Sequence, residues 1–312
     1  MGRLDGKVAL ITGLAGAAGE SHAIRLAEEG ADIIALEFRR QADPPDPSDA
    51  ARHRLAEVTS RIEALGRRVW VSRADVNNLE ELTEAISVGV SQFGRVDVAI
   101  AGVGISDAGD VEAAGATGRF WEVDGSRWRH AIDANLTDVW HITRAVTPHL
   151  LATRSGGSIV LVGSVFGTIP SAALSAYVAS THAVIGLARS LALELGPEMI
   201  RVNTILATTV NTPNVRSGSS DGDALEQSRK LHALPVPGVE LADISNALVF
   251  LASDEARYMT GVELLVDAGF SAKSGSRSQK EALKWSAESM LVDSSDDSTS
   301  VSVARVSPEA LS

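Results

Sequence analysis

An α/β fold with a doubly wound parallel sheet, in a single domain, is what this 312-residue sequence predicts. Apolar runs of strand length alternate with amphipathic stretches of helix length over residues 7–268, the pattern of repeated βαβ units. The first run ends in a glycine-rich turn that opens a helix, and the second ends in an acidic residue. Hydrophobic residues make up 45% of the chain. That is enough for one core of roughly 250 residues, with a polar remainder.

Residues 7–12 (KVALIT) read as the first strand and 18–30 as a helix, with apolar spacing at Ile24, Leu26 and Ala27. Residues 31–37 (ADIIALE) complete a βαβ unit as a second buried strand. Proline and charge crowd 38–49 (FRRQADPPDPSD), which reads as an exposed insertion. A helix over 50–65, a strand over 67–76, a helix over 79–93 and a strand over 96–101 follow. The Gly/Ala-rich stretch 102–125 reads as a loop, and 126–153 as one long helix carrying Asn135. Strand five is 158–162 (SIVLV), followed by an apolar helix over 175–195. Strand six is 201–206. Residues 207–239, with Pro213, Gly218, Pro235 and Pro237, read as a mobile cover over the site. A helix over 241–253 and a strand over 262–268 close the domain at about residue 270. From 271 to 312 the chain is Ser/Asp-rich and reads as a mostly disordered tail.

The net charge of -12 and the lack of a Lys/Arg cluster exclude a nucleic-acid or anionic-membrane surface as the expected partner. A small neutral or apolar ligand fits better. With no cysteine there is no disulfide framework, thiolate metal site or cysteine nucleophile. The seven histidines show no metal-ligand spacing, so no metal is expected. The N-terminus enters a strand almost at once, and no uncharged apolar run approaches the roughly 18 residues of a membrane span. Gly6 stands where a myristoylation motif wants Ser or Thr. A soluble cytoplasmic protein is expected.

Gly13, Gly16, Ala17 and Gly19 lie in a turn between a strand and a helix, where backbone amides can meet a pyrophosphate. Alone such a turn is a weak signal; with Glu37 at the end of the next strand it reads as a dinucleotide site. Glu37 would accept hydrogen bonds from an adenosine ribose and repel a 2′-phosphate, so NAD(H) is expected rather than NADP(H). Asp75 ends a strand, a position that also serves as a helix cap.

These residues, with Asn135, Ser164, Tyr177 and a helix running on from Tyr177, make residues 3–270 resemble the short-chain dehydrogenase/reductase family, whose sheet is Rossmann-like. The opening GRLDGK, the run SHAIRLAEEGADIIALE and the insertion after the second strand are similar to its carveol-dehydrogenase branch. The resemblance implies that Asn135 holds a water in a proton relay, Ser164 orients the reacting oxygen and Tyr177 exchanges its proton. It implies that Asp75 and Val76 meet the adenine and Thr212 the carboxamide. It also implies a homo-oligomer, expected to be a tetramer paired through helices 126–153 and 175–195, apolar at Val139, Ile142, Val184 and Leu187.

Four departures fall on the cofactor side: Ala17 for a glycine, Gly102 for an asparagine, Ala207 to Thr209 for a Pro-Gly turn, and Thr181 for a lysine. The family lysine holds the nicotinamide ribose and lowers the tyrosine's pKa. Thr181 can do some of the first and none of the second. An unassisted tyrosine has a pKa of about 10, so near pH 7 about one molecule in a thousand is the phenolate that alcohol oxidation needs. Three readings stay open. One is an NAD(H)-linked alcohol/ketone oxidoreductase with weakened or lost cofactor binding, acting on a small apolar substrate. Another is an isomerase, cyclase or lyase using Tyr177 and Ser164 without hydride transfer. The last is a non-catalytic binding or subunit partner. Val165, Phe166, Ile169, Phe120 and Trp121 hint at an apolar pocket or simply at core.

Overall fold

A computed structural model of the chain describes residues 2–39, 49–102, 119–211 and 229–274. The strands are β1 (Val8–Thr12), β2 (Asp32–Arg39), β3 (Val69–Asp75), β4 (Val98–Gly102), β5 (Gly157–Ser164), β6 (Ile200–Ala207) and β7 (Glu263–Val266). All pair in parallel in the order β3-β2-β1-β4-β5-β6-β7, so the sequence-predicted doubly wound sheet is what forms. The order reverses between β1 and β4, which opens a crevice at their carboxyl ends.

Successive side chains along β1 supply opposite faces of the sheet. Ala9 and Ile11 join one core with α1 (Ala17–Glu28), α2 (Asp49–Ala64) and the helix Leu241–Ala252. Val8 and Leu10 join the other, with α3 (Leu79–Phe93), the helix Asp138–Thr153 and the helix Ser175–Leu195. Burial on both faces is why the strands read as continuous apolar runs. β5 extends beyond the expected 158–162, because β6 pairs with it residue by residue as far as Ser164 opposite Ala207. β2 likewise reaches Arg39 by pairing with β3.

The expected single helix over 126–153 is interrupted. It begins as α4 (Gly125–Ile132), passes through a π turn at Asp133–Thr137 closed by the Asp138 amide on the Asp133 carbonyl, and continues as α5 (Asp138–Thr153). A π turn inserts one residue and turns the side chains within it, a device common at functional sites. Helix α6 (Ser175–Leu195) is the stretch among the described residues long and apolar enough to cross a membrane by length and composition. It carries Arg189 and Glu194 and packs against β6. Helix α7 (Leu241–Ala252) opens with a Glu240/Asp243 capping box, and α8 (Phe270–Ser274) carries the helical chain past residue 270.

Asp75 is not the cap of α3. Its Oδ1 accepts from the Asn77 amide at 2.9 Å, whereas the Asn78 side chain caps the helix by accepting from the Glu81 amide. The insertion around residues 40–48, most of the expected cover (212–228) and the tail from 275 lie outside the described residues.

Candidate functional site

The glycine-rich turn closes β1 onto α1. Gly13 takes a φ of +72°, donates to the Leu36 carbonyl at 2.8 Å and receives the Gly16 amide at 3.0 Å. A methyl group at Gly19 would lie 2.0 Å from the Gly13 carbonyl oxygen, so only glycine lets α1 approach this closely. A methyl at Gly13 would meet nothing within 4 Å, which leaves the outer side of the turn open as a cradle. The N-cap of α1 is Gly16, with no side-chain cap among the described residues, and a helix start of this kind suits an anion. Ala17 is half-buried at the first helical position.

Glu37 leans back onto this turn, its Oε1 accepting from the Ala15 amide at 2.9 Å. Burial pushes its carboxyl above the usual range, opposed by the amides of Ala15 and Leu14 and by Arg73. At β4, the Gly102 amide donates to the Thr12 hydroxyl at 3.4 Å, and among the described residues a Cβ on Gly102 would come no nearer to anything than that oxygen, 4.0 Å away. Among those residues the position has room for a side chain. Val76 is fully buried, its carbonyl bound by His141 Nδ1 at 2.7 Å. A glycine-rich turn at a helix N-terminus without a side-chain cap, with a carboxylate at the end of the next strand, fits a dinucleotide's pyrophosphate and adenosine.

Tyr177, the residue expected to exchange a proton, is buried near the start of α6 against Ala134. Thr181, one turn on, is turned into its own helix: its hydroxyl donates to the Tyr177 carbonyl at 2.9 Å, with the Val178 carbonyl at 3.2 Å. A threonine hydroxyl reaches the i−4 carbonyl whereas a lysine amine extends past it, so the ribose role expected in part of Thr181 is not what its hydroxyl does here. Asn135, fully buried in the π turn, donates Nδ2–H to Ser180 Oγ at 2.9 Å, and Ser180 donates on to the Tyr177 carbonyl at 2.8 Å. Asn135 is thus tied to the tyrosine's helix through a serine that sequence reasoning passed over. Its signal was a spacing of three from Tyr177, one turn along the same helix.

Ser164 ends β5 and accepts from the Phe166 amide at 3.3 Å, capping the tight turn Val165–Gly167. Phe166 meets the Tyr177 ring edge-on at 6.3 Å and Phe270 at 6.0 Å. Behind Phe270 lies His232, 5.7 Å away and almost fully buried. Its Nδ1 sits 3.0 Å from the Val236 carbonyl, which only accepts, so Nδ1 carries a proton, and its Nε2 hydrogen-bonds the Thr208 hydroxyl at 3.1 Å. This pins the described ends of 207–239 at the mouth of β6, with a further parallel bridge between Val210 and Val239. His232 was invisible because that stretch has no periodicity and read as surface. Of the suspected apolar lining, Val165 is buried and Ile169 half-buried, whereas Phe120 and Trp121 are 71% and 66% exposed and meet edge to face. His182 is exposed, bonded to the Val178 carbonyl. Thr212 lies outside the described residues.

A family model described as Enoyl-(Acyl carrier protein) reductase matches residues 13–271. The (-)-trans-carveol dehydrogenase of Rhodococcus erythropolis is 41% identical over 285 residues, covering 88% of this chain and all of that protein. This chain belongs to the short-chain dehydrogenase/reductase family. Among solved structures, carveol dehydrogenase from Mycobacterium avium in complex with NAD superposes with a TM-score of 0.75 at 41% identity, covering 86% of this chain and 99% of that one. A trans-4-hydroxycyclohexanecarboxylate dehydrogenase from Sinomonas cyclohexanicum is 31% identical over 269 residues, 86% of this chain and 93% of that protein. At the positions that the sequence resemblance singled out, this short-chain dehydrogenase/reductase has Asn135, Ser164, Tyr177 and Thr181.

Proposed function

We propose that the protein is an NAD(H)-linked oxidoreductase that interconverts a secondary alcohol and a ketone on a small, apolar, cyclic molecule, and that it favours reduction. The observation that carries this is the pairing of a retained Ser164 and Tyr177 with a Thr181 whose hydroxyl is spent on its own helix. Carveol and hydroxycyclohexanecarboxylate, the substrates in the relatives' names, are both cyclic alcohols.

When bound, NADH supplies the hydride. The chain's own residues do the rest: the Gly13–Gly19 turn and the α1 amides hold the pyrophosphate, and Glu37 receives the ribose hydroxyls. Ser164 donates a hydrogen bond to the carbonyl oxygen and Tyr177 gives it a proton. The neutral phenol is already the form reduction needs, so loss of the lysine costs reduction less than oxidation, about 1.4 kcal/mol for each pKa unit not shifted. Cyclic ketones with NADH and the matching alcohols with NAD should be assayed side by side at pH 7. Faster reduction that disappears in Tyr177→Phe supports the reading.

The absence of a lysine beside Tyr177 also favours a second reading, an isomerase, cyclase or lyase working through Tyr177 and Ser164 alone. No NAD(H) binding by calorimetry, with no turnover in either redox direction, would select it. We also propose a homotetramer. Its pairing cannot use Val139, Ile142 or Val184, which are buried in the protomer's own core. On the same helices Trp140, Leu151 and Leu193 stand exposed, Leu193 at 81%.

A further inference from the structure

The amino ends of the strands carry a second constellation, which the redox chemistry does not use. A cavity of about 220 Å³ opens there between the starts of β1, β5 and β6, the segment leading into β4 and the chain just after α7. Four cations line it, Lys7, Arg95, Arg201 and Arg257, against two carboxylates, Asp97 and Asp254. In a chain of net charge -12 this is a local excess of positive charge.

The carboxylates are already committed. Asp97 accepts the Val8 amide at 2.9 Å and both Nε and Nη2 of Arg95. Asp254 pairs with Lys7 at 2.9 Å. Arg201 is left short: Nη2 donates to the Ser253 carbonyl at 3.1 Å, while Nη1 is buried with no hydrogen-bond partner among the described residues. A buried guanidinium N–H without an acceptor costs the full desolvation of that group. Burial lowers the Arg201 pKa, offset only by the more distant charge of Asp254. Arg257 reaches the same cavity from an exposed position, over the Tyr258 ring.

We propose that this cavity binds a phosphate-class oxyanion, held by the Arg201 guanidinium with Arg257 beside it. A guanidinium fork matches paired oxyanion oxygens. The bound anion supplies the missing acceptor for Nη1 and neutralises the charge excess. The site is remote from the chemistry: Gly157 and Ser164 stand at opposite ends of β5, roughly 23 Å apart at about 3.3 Å per residue. An anion that binds only the folded chain stabilises it by mass action. The site is independent of the reading of the reaction given above.

The test uses the full chain saturated with NAD, so that the glycine-rich turn is not the phosphate's site, with ionic strength matched by sodium chloride. Inorganic phosphate and glycerol 3-phosphate are titrated by calorimetry and followed by thermal unfolding. Saturable binding is expected, with an unfolding midpoint raised by about 5 °C at a hundredfold excess over Kd. Arg201→Gln should weaken it at least tenfold. Arg257→Gln, an exposed change that leaves the fold and turnover intact, should weaken it several-fold. Equal affinity for the two compounds identifies the free oxyanion as what is recognised; tighter binding of the ester identifies a phosphorylated metabolite. No saturable binding at millimolar phosphate, or binding unchanged in both variants, overturns the proposal.

Discussion

At Thr181 a single residue decides how the site handles protons. Its hydroxyl closes on the Tyr177 carbonyl, so no charge stands one turn from the phenol on that face of α6. Thr181→Lys is expected to bring a cation back. Lowering the tyrosine's pKa by two units would raise the phenolate fraction about a hundredfold near pH 7, and oxidation with NAD should rise toward that limit while reduction changes less. Initial rates in both directions check this; equal gains would show that the cation acts through cofactor binding instead. Gly102 is the milder departure. The space beside Thr12 accepts a side chain, so Gly102→Asn should fold normally and tighten NAD binding, as read by calorimetry. That Thr181 shares a helix face with Tyr177 could be read from the sequence, because a spacing of four on a helix fixes the face. The threonine's turn back into the helix could not, because rotamer choice depends on what surrounds it.

Elements bring together what the linear chain separates. Helices α1 and α7 meet through His22, 5% exposed, whose Nδ1 lies 2.7 Å from Ser245 Oγ. Burial drives the His22 pKa from 6.5 to about 4, so the folded state holds it neutral. The unfolded chain then binds more protons between those values, and stability is full above about pH 6.5 and lost as the pH falls toward 4. The slope is at most about 1.4 kcal/mol per pH unit from this group. His149, also lowered by burial, acts in the same sense. Urea unfolding at pH 7 and pH 5 should show the loss, and His22→Gln should flatten it. The turn into α1 is equally exacting. Gly19→Ala would drive a methyl group into the Gly13 carbonyl, costing about 1–3 kcal/mol in backbone adjustment, with NAD affinity falling at least tenfold. A denaturant midpoint and a calorimetric titration on the same variant check both halves.

For the whole molecule, one parallel sheet separates two sites. The groups expected to meet cofactor and substrate lie toward the carboxyl ends, where Gly13, Glu37, Gly102, Ser164 and Thr208 stand at or near the ends of five different strands. The basic cavity occupies the amino ends. Assembly belongs to this scale as well. Exposed Trp140 on α5 and Leu193 on α6 belong to the apolar surface left after the protomer has filled its own core. The paired change Trp140→Lys with Leu193→Lys should reduce the mass seen by light scattering from that of a tetramer to a smaller species without loss of helical content. An unchanged mass would place the interface elsewhere.

By itself the sequence determined the sheet and its parallel sense, and it singled out Ser164 and Tyr177 as the candidate pair. Periodicity, turn glycines and a fixed helical spacing are local, and each survives reading one residue after another. Only the tertiary structure decided the rest. The π turn around Asn135, the Ser180 bridge, the buried His232 behind Phe270 and the under-partnered Arg201 each depend on groups 24 to 52 residues apart or on a backbone shift with no compositional trace. Val139, Ile142 and Val184 looked free to pair with another subunit, because an apolar face carries no mark of which neighbour will cover it. The sheet had already done so, since burying apolar surface within the chain avoids the entropy cost of bringing two chains together.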